Sequence, residues 1–311
     1  MQNKILILGI LMLFINCDQT AQELEPKMLG QQNESYDLPI KKPSDSVVYL
    51  RNLIDEGLQS TLQTEITKNV KWKRLINQKK MAIGVVDLWD PNDVKYARLN
   101  GNVMMYAASL PKIGILLAVM DAIEKGEIAD SPELQQKMRL MISKSNNAAS
   151  TELMDLIGME KIEQVLKDPK YELYDEDYGG GLWVGKRYAK TGPRRPDPLM
   201  GISHGATVSQ VCRYYYLMAF GQLVSYDRSK QMLELMDNPE LNHKFVGKLK
   251  SMAPYAHLYR KSGTWRTFHS DSVLVWGPER RYILVALIDD PDGETILRNL
   301  VVTVDTLVKS Q

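Results

Sequence analysis

The stretch Tyr106-Ala107-Ala108-Ser109-Leu110-Pro111-Lys112-Ile113-Gly114-Ile115-Leu116 sets a serine three residues before a lysine at the mouth of an apolar helix. The apolar run predicts a helix from about Ser109 to Lys125. One turn separates Ser109 from Lys112, so both side chains fall on the same side of the helix start. Free backbone N–H groups and the positive dipole end favour developing negative charge there. A charged lysine in apolar company is costly. Desolvation and a second nearby cation would lower its pKa and make it a possible base. Taken alone, the pair reads more simply as a helix cap and a snorkelling surface lysine.

Outward from this point the chain changes character twice. An amphipathic helix is expected over Ser46–Lys68, then strands over Met81–Leu88 and Val94–Leu99 around the turn Asp90-Pro91-Asn92-Asp93. Residues 108–250 are rich in helix signals, with starts at Ser131-Pro132-Glu133 and Asn146 and further helices over Thr207–Phe220 and Arg228–Met236. Between them Lys167–Gly205 is dense in Gly, Pro, Tyr and charge and has no period, the mark of a functional loop. Strands return at Leu258–Lys261, Ser272–Trp276 and Tyr282–Ile288, and a helix over Glu294–Val308 follows. The fold class expected is α+β: a mostly antiparallel sheet flanked by N- and C-terminal helices, with an all-helical lobe inserted. The sheet lobe takes residues of about 46–107 and 251–311, and the helical lobe about 108–250.

Bulk composition excludes several classes. The 311 residues carry a net charge of +1, which argues against nucleic acid and against electrostatic membrane binding. The two cysteines and four histidines show no metal spacing. Met1-Gln2-Asn3-Lys4 followed by an apolar run to Ile15 reads as a signal peptide over residues 1–17, too short to span a bilayer. Cys17, directly after the run, looks like a bacterial lipobox cysteine, although Asn16 is larger than the usual preceding residue. Residues 18–45 read as a polar tether, and 46–311 as the folded domain. Cys212, among Val208, Val211 and Tyr215 at helical spacing, reads as a buried structural thiol.

Three short signals occur in order: Ser109-x-x-Lys112, Ser145-x-Asn147 and Lys261-Ser262-Gly263-Thr264, the last on an expected strand. Together they resemble the three motifs of the serine β-lactamase and penicillin-binding protein superfamily, with closest likeness to the class A β-lactamase catalytic domain. The likeness runs from about Ser46 to the C-terminus. It makes 46–311 a catalytic domain with its active site between the two lobes, and implies a monomeric serine hydrolase without metal or cofactor. With the signal peptide, export to the periplasm or cell envelope is expected, with anchoring to a membrane if Cys17 is lipidated. Ser109 would be the nucleophile and Lys112 its base, with Ser145 relaying a proton and Lys261 supplying positive charge. Asn147, Ser262, Gly263 and Thr264 would bind substrate, and the N–H groups of Ser109 and Thr264 would form the oxyanion hole.

The resemblance implies β-lactam hydrolysis first. The alternatives are a peptidase, esterase or amidase acting on a cell-wall or small-molecule substrate, and a lipoprotein that binds a β-lactam or muropeptide without turnover. One departure matters. The class A loop motif Glu-x-x-Leu-Asn, whose glutamate activates the deacylating water, is missing from Lys167–Gly205. Asp197 and Glu176 are the candidate substitutes, with Lys186, Tyr188 and His204 also conceivable. Two look-alikes are set aside: Lys190-Thr191-Gly192, which lies in the Pro/Gly-rich loop, and Asn238-Pro239-Glu240-Leu241-Asn242, which follows the helix that the family motif precedes.

Overall fold

The computed structural model describes residues 47–308; the signal peptide, Cys17 and the tether lie outside the described residues. The backbone of the fold is a five-stranded antiparallel sheet, order β2-β1-β10-β9-β8. Its strands are β1 (Met81–Asp87), β2 (Lys95–Leu99), β8 (His257–Trp265), β9 (Phe268–Gly277) and β10 (Arg280–Asp289). β1 and β10 read as near-continuous apolar runs because both faces are covered, whereas β8 and the first half of β9 are rich in polar residues. Alternation survives in which side each residue serves. Ile283, Val285 and Leu287 of β10 join the core on the helical side. Tyr282, Leu284, Ala286 and Ile288 join the opposite core, with Leu62 and Ile66 of α1 (Glu56–Thr67) and Leu297, Leu300 and Val304 of α10 (Gly293–Val308).

The first helix is shorter than the periodicity suggests. Leu50–Asn52 is a 3₁₀ turn, Ile54 bridges Tyr96, and α1 starts only after Asp55, which accepts from Leu58 N at 2.7 Å. The cap and the bridge to β2 outweigh the apolar spacing. Three short helices escape the pattern reading: α2 (Val70–Asn77), α6 (Met159–Lys167) and α9 (Val246–Met252). Helices of this length take most of their stability from packing, which local sequence does not display.

The helical side is organised around α3 (Lys112–Glu124), every residue of which from Lys112 to Ile123 is buried. An all-round apolar helix of this kind belongs at the centre of a core. Around it stand α4 (Pro132–Ser143), α5 (Asn147–Ile157), α6 and α8 (Tyr226–Met236), and α7 (Val208–Ala219) packs on the sheet. The expected caps hold: Ser131 Oγ accepts from Leu134 N at 3.2 Å and Asn146 Oδ1 from Ala149 N at 2.9 Å. The loop from Asp168 to Ser203 contains only fragments, β4 (Tyr174–Asp175), β5 (Gly180–Gly181) and β6 (Trp183–Val184). It returns as β7 (His204–Ala206), which pairs with β3 (Met105–Tyr106) immediately before Ser109. No helix among the described residues is long and apolar enough to cross a membrane.

Candidate active site

Ser109 lies in the turn that leads into α3 rather than in its first helical position. Lys112 N and Ile113 N donate to Ser109 O and Leu110 O at 3.3 and 3.2 Å, so the entry is a tight 3₁₀-like turn. Ala108 takes a left-handed φ of 52°, an unfavourable conformation for a residue with a Cβ and a common one beside reacting groups. The surroundings hold it there. Ala107 N donates to His204 O at 2.8 Å, Ser270 Oγ donates to Ala107 O at 2.8 Å, and Tyr188 Oη donates to Ala108 O at 3.1 Å.

Strand β8 stands directly against this turn. A Cβ on Gly263 would come within 2.3 Å of Ala107 O and 2.5 Å of Ser109 N, so only glycine fits. Register with β9 sets Lys261 opposite Ser272 and Ser262 opposite Asp271. From there Lys261, 1 % exposed, donates to Ser145 Oγ and Ser262 O, both at 2.8 Å. Ser145 occupies the α4–α5 junction with φ 56°, and this left-handed turn presents its carbonyl as well as its hydroxyl. Lys112, fully buried, donates to Ser145 O and Asn147 Oδ1, both at 2.7 Å. Five of the motif residues, Lys112, Ser145, Asn147, Lys261 and Ser262, thus form one hydrogen-bonded chain, and Gly263 abuts Ser109.

Residues 62–136 and 129–305 match the profile of the beta-lactamase enzyme family. The chain belongs to that family. No curated protein sequence matches it. Among solved structures, a beta-lactamase from Sphaerobacter thermophilus superposes with a TM-score of 0.63 at 16 % identity, over 80 % of this chain and 97 % of the other. A class A beta-lactamase representative from Bacteroides cellulosilyticus gives 0.59 at 17 % identity, over 80 % and 98 %. An acyl-enzyme complex of a PBP-A variant with penicillin G gives 0.59 at 18 %, over 81 % and 96 %. At these identities the likeness establishes the fold, while the family match makes the chain a serine hydrolase of the β-lactamase type.

The electrostatics of this β-lactamase-family cleft are lopsided. Lys112, Lys261 and Lys244 are all buried, and no carboxylate forms an ion pair with any of them among the described residues. The buried acid nearby, Asp271, is engaged by Arg260 through contacts of 2.7 and 3.0 Å. Burial pulls the Lys112 ammonium down to about 7. Lys261 falls well below the usual lysine range, first through desolvation and then through the charge on Lys112. Lys244 is the residue that spacing did not reveal. It donates to Gly263 O, Thr264 Oγ1 and Ser270 O at 2.6, 2.8 and 3.0 Å, and burial lowers it to about 8. An ammonium only donates, so Thr264 Oγ1 accepts here and its own proton is available to another acceptor.

The loop supplies aromatic groups instead of an acid. The Tyr188 ring lies 4.4 Å from Lys112 Nζ and 4.4 Å from the His204 ring. His204 is tied to Lys186 O at 2.9 Å, and burial lowers it to about 4, so it is neutral near pH 7. Asp197 is spent on the loop itself: it accepts from Leu199 N, Met200 N and Ile202 N at 3.1, 2.9 and 2.7 Å, and from Tyr174 Oη at 3.2 Å. Glu176 is exposed and meets Lys167 at 3.4 Å. Neither acid hydrogen-bonds Ser109, Lys112 or Lys261 among the described residues. Lys190-Thr191-Gly192 is exposed, and Glu240 reaches Ser143 Oγ at 3.1 Å and Lys144 Nζ at 3.3 Å.

Proposed function

We propose that this hydrolase forms an acyl-enzyme at Ser109 with a β-lactam or related cyclic amide. The observation that carries the reading is the environment of Lys112: a buried amine with two acceptors at 2.7 Å and no carboxylate partner. A neutral amine has two N–H groups and one lone pair. Ser145 O and Asn147 Oδ1 take the two N–H groups, which leaves the lone pair for the Ser109 proton. As Ser109 Oγ attacks the carbonyl carbon, the proton passes to Lys112 Nζ. The backbone N–H groups of Ser109 and Thr264 receive the oxyanion, at about 3 kcal/mol per donor. Ser145 Oγ gives its own proton to the leaving nitrogen and takes one from Lys261 Nζ, which donates to it at 2.8 Å, so the proton gained by Lys112 from Ser109 is matched by the one Lys261 gives up. The cluster of unpaired lysines favours a substrate bearing a carboxylate, with the Ser262 and Thr264 hydroxyls as its donors.

Mass spectrometry after incubation with penicillin tests this. The intact protein gains one penicillin mass on the peptide containing Ser109, and Ser109→Ala shows none. A folded sample that gains no mass at Ser109 removes β-lactams as substrates.

A second reading, slow release of the acyl group, is favoured by one observation: the loop sets the Tyr188 ring against Lys112 Nζ, and among the described residues Asp197 and Glu176 make no hydrogen bond to it. Under that reading the adduct persists for hours, as in a penicillin-binding protein or a sensor, whereas hydrolysis makes it transient. The same reading of the sequence has Cys17 anchoring an exported protein. Metabolic palmitate labelling that is unchanged in Cys17→Ser would end the anchoring proposal.

A further inference from the structure

A small cavity of about 20 Å³, enough for one water-sized species, is lined by Tyr49, Arg51, Arg98, Tyr178, Ser209 and Arg213 among others. None of these six hydrogen-bonds a residue of the Ser109 cluster. Arg213, on α7, is 6 % exposed. Its Nε donates to Tyr171 O at 2.5 Å, and the Tyr49 ring lies 3.7 Å from its guanidinium carbon. A guanidinium has five N–H donors, and one is used here, leaving four with no acceptor among the described residues. Arg98 donates from Nη1 to Asn102 Oδ1 at 2.5 Å and Ser209 Oγ at 3.1 Å, and it too has no carboxylate partner among the described residues.

The nearby acids are committed to the third arginine. Arg51 lies 3.8 Å from Glu172 and 3.5 Å from Asp175, and the Tyr49 hydroxyl also donates to Glu172. Three guanidiniums therefore share two carboxylates, both on one side of the cavity. The N-terminal turn of α7, where Ser209 sits, adds the positive end of its dipole. Glu172 also offsets part of the Arg213 charge, but two carboxylates do not balance three guanidiniums, and burial still pulls Arg213 down to about 10.

We propose that this cavity binds a single halide-sized anion, chloride in solution, between the guanidiniums of Arg98 and Arg213. The space left between these side chains, about 20 Å³, suits a monatomic ion. Bound there, the ion ties α7 to β2 and to the segment before α1.

The test uses the full chain. Crystals grown with bromide are expected to show an anomalous peak between Arg98 and Arg213. Replacing gluconate by chloride at constant ionic strength raises Tm saturably, by about 3 °C; sulfate does not. Arg98→Gln and Arg213→Gln lose the saturable part. The proposal is overturned if the cavity shows no anomalous peak, if a carboxylate of the chain fills it, or if the Tm rise is unsaturable and survives in both variants. Should Arg213→Gln fail to fold, Arg98→Gln and the bromide peak in the unsubstituted protein still decide the matter.

Discussion

Two regions meet over Lys112, and they are built by different rules. On one side, α3, the α4–α5 junction and β8 bring Lys112, Ser145 and Lys261 together at 2.7–2.8 Å, each side chain fixed by a regular element. On the other, the loop from Asp168 to Ser203 has almost no ladder of its own. It is held by a buried carboxylate, Asp197, and by contacts of Tyr188 and His204 with the turn before Ser109. Under the proposed function, the first region would fix the geometry of attack before a substrate arrives, because its lysines are buried and each is held by regular elements. The second has little regular structure to disturb, so under the proposed function it is where the fate of an acyl group would be decided.

Substitutions can break this comparison, the largest effect coming first. Lys112→Met should slow penicillin labelling of Ser109 by about 10⁴-fold, with Tm unchanged or raised, because a buried unpaired amine is removed. Labelling at the wild-type rate would move the base elsewhere. Gly263→Ala should lower the labelling rate by at least about 100-fold, since its Cβ meets Ala107 O and Ser109 N and must push β8 away from the nucleophile. Stopped-flow acylation reads this, and a rate within twofold of wild type would mean that β8 does not contribute to the site.

Asp197→Ala separates the two regions. It should cost about 3 kcal/mol in urea unfolding, because three backbone N–H groups lose their acceptor, while acylation stays within about tenfold. A collapse of acylation with stability intact would make Asp197 part of the chemistry.

The smallest effect is one of pH. Lys112 and Lys244 titrate near 7 and 8 in the folded chain against 10.5 in an exposed lysine. Between those values the unfolded chain holds protons that the folded chain has released, so stability rises with pH. The Lys244 share of the gain from pH 7 to 9 should be about 1.3 kcal/mol, and Lys244→Met loses that share while the Lys112 share remains. Above pH 10 the buried tyrosines, whose values are raised by desolvation, pull the other way. A urea midpoint that falls from pH 7 to 9 would contradict the lysine environments.

How much of this is legible in sequence follows the same division. Ser109, Lys112, Ser145, Asn147 and Lys261 can be read off as three short motifs in order, and the folded chain brings Lys112, Ser145, Asn147 and Lys261 into one hydrogen-bonded chain. The sheet strands show as apolar runs, and Ser131, Asn146 and Thr207 mark helix starts by their side-chain oxygens. Lys244 is illegible, since its value lies in three contacts across β8 and β9 that no local spacing encodes; its one signal is a lysine beside the apolar pair Phe245-Val246. The loop is also illegible. Asp197 is an acid in the right segment, but only the folded chain reveals that its oxygens are already taken by Leu199, Met200 and Ile202.

Cys212, fully buried and free, lies where β1 meets α7, so close that a Cβ on Gly84 would fall 2.7 Å from its sulfur. Burial also raises its thiol well above the ordinary range. A thiol reagent can therefore reach it only when helix and sheet part. In a chain whose position 17 carries serine, the rate of disulfide exchange at 212 clocks how often that interface opens, a dye-free gauge of breathing beneath the cleft.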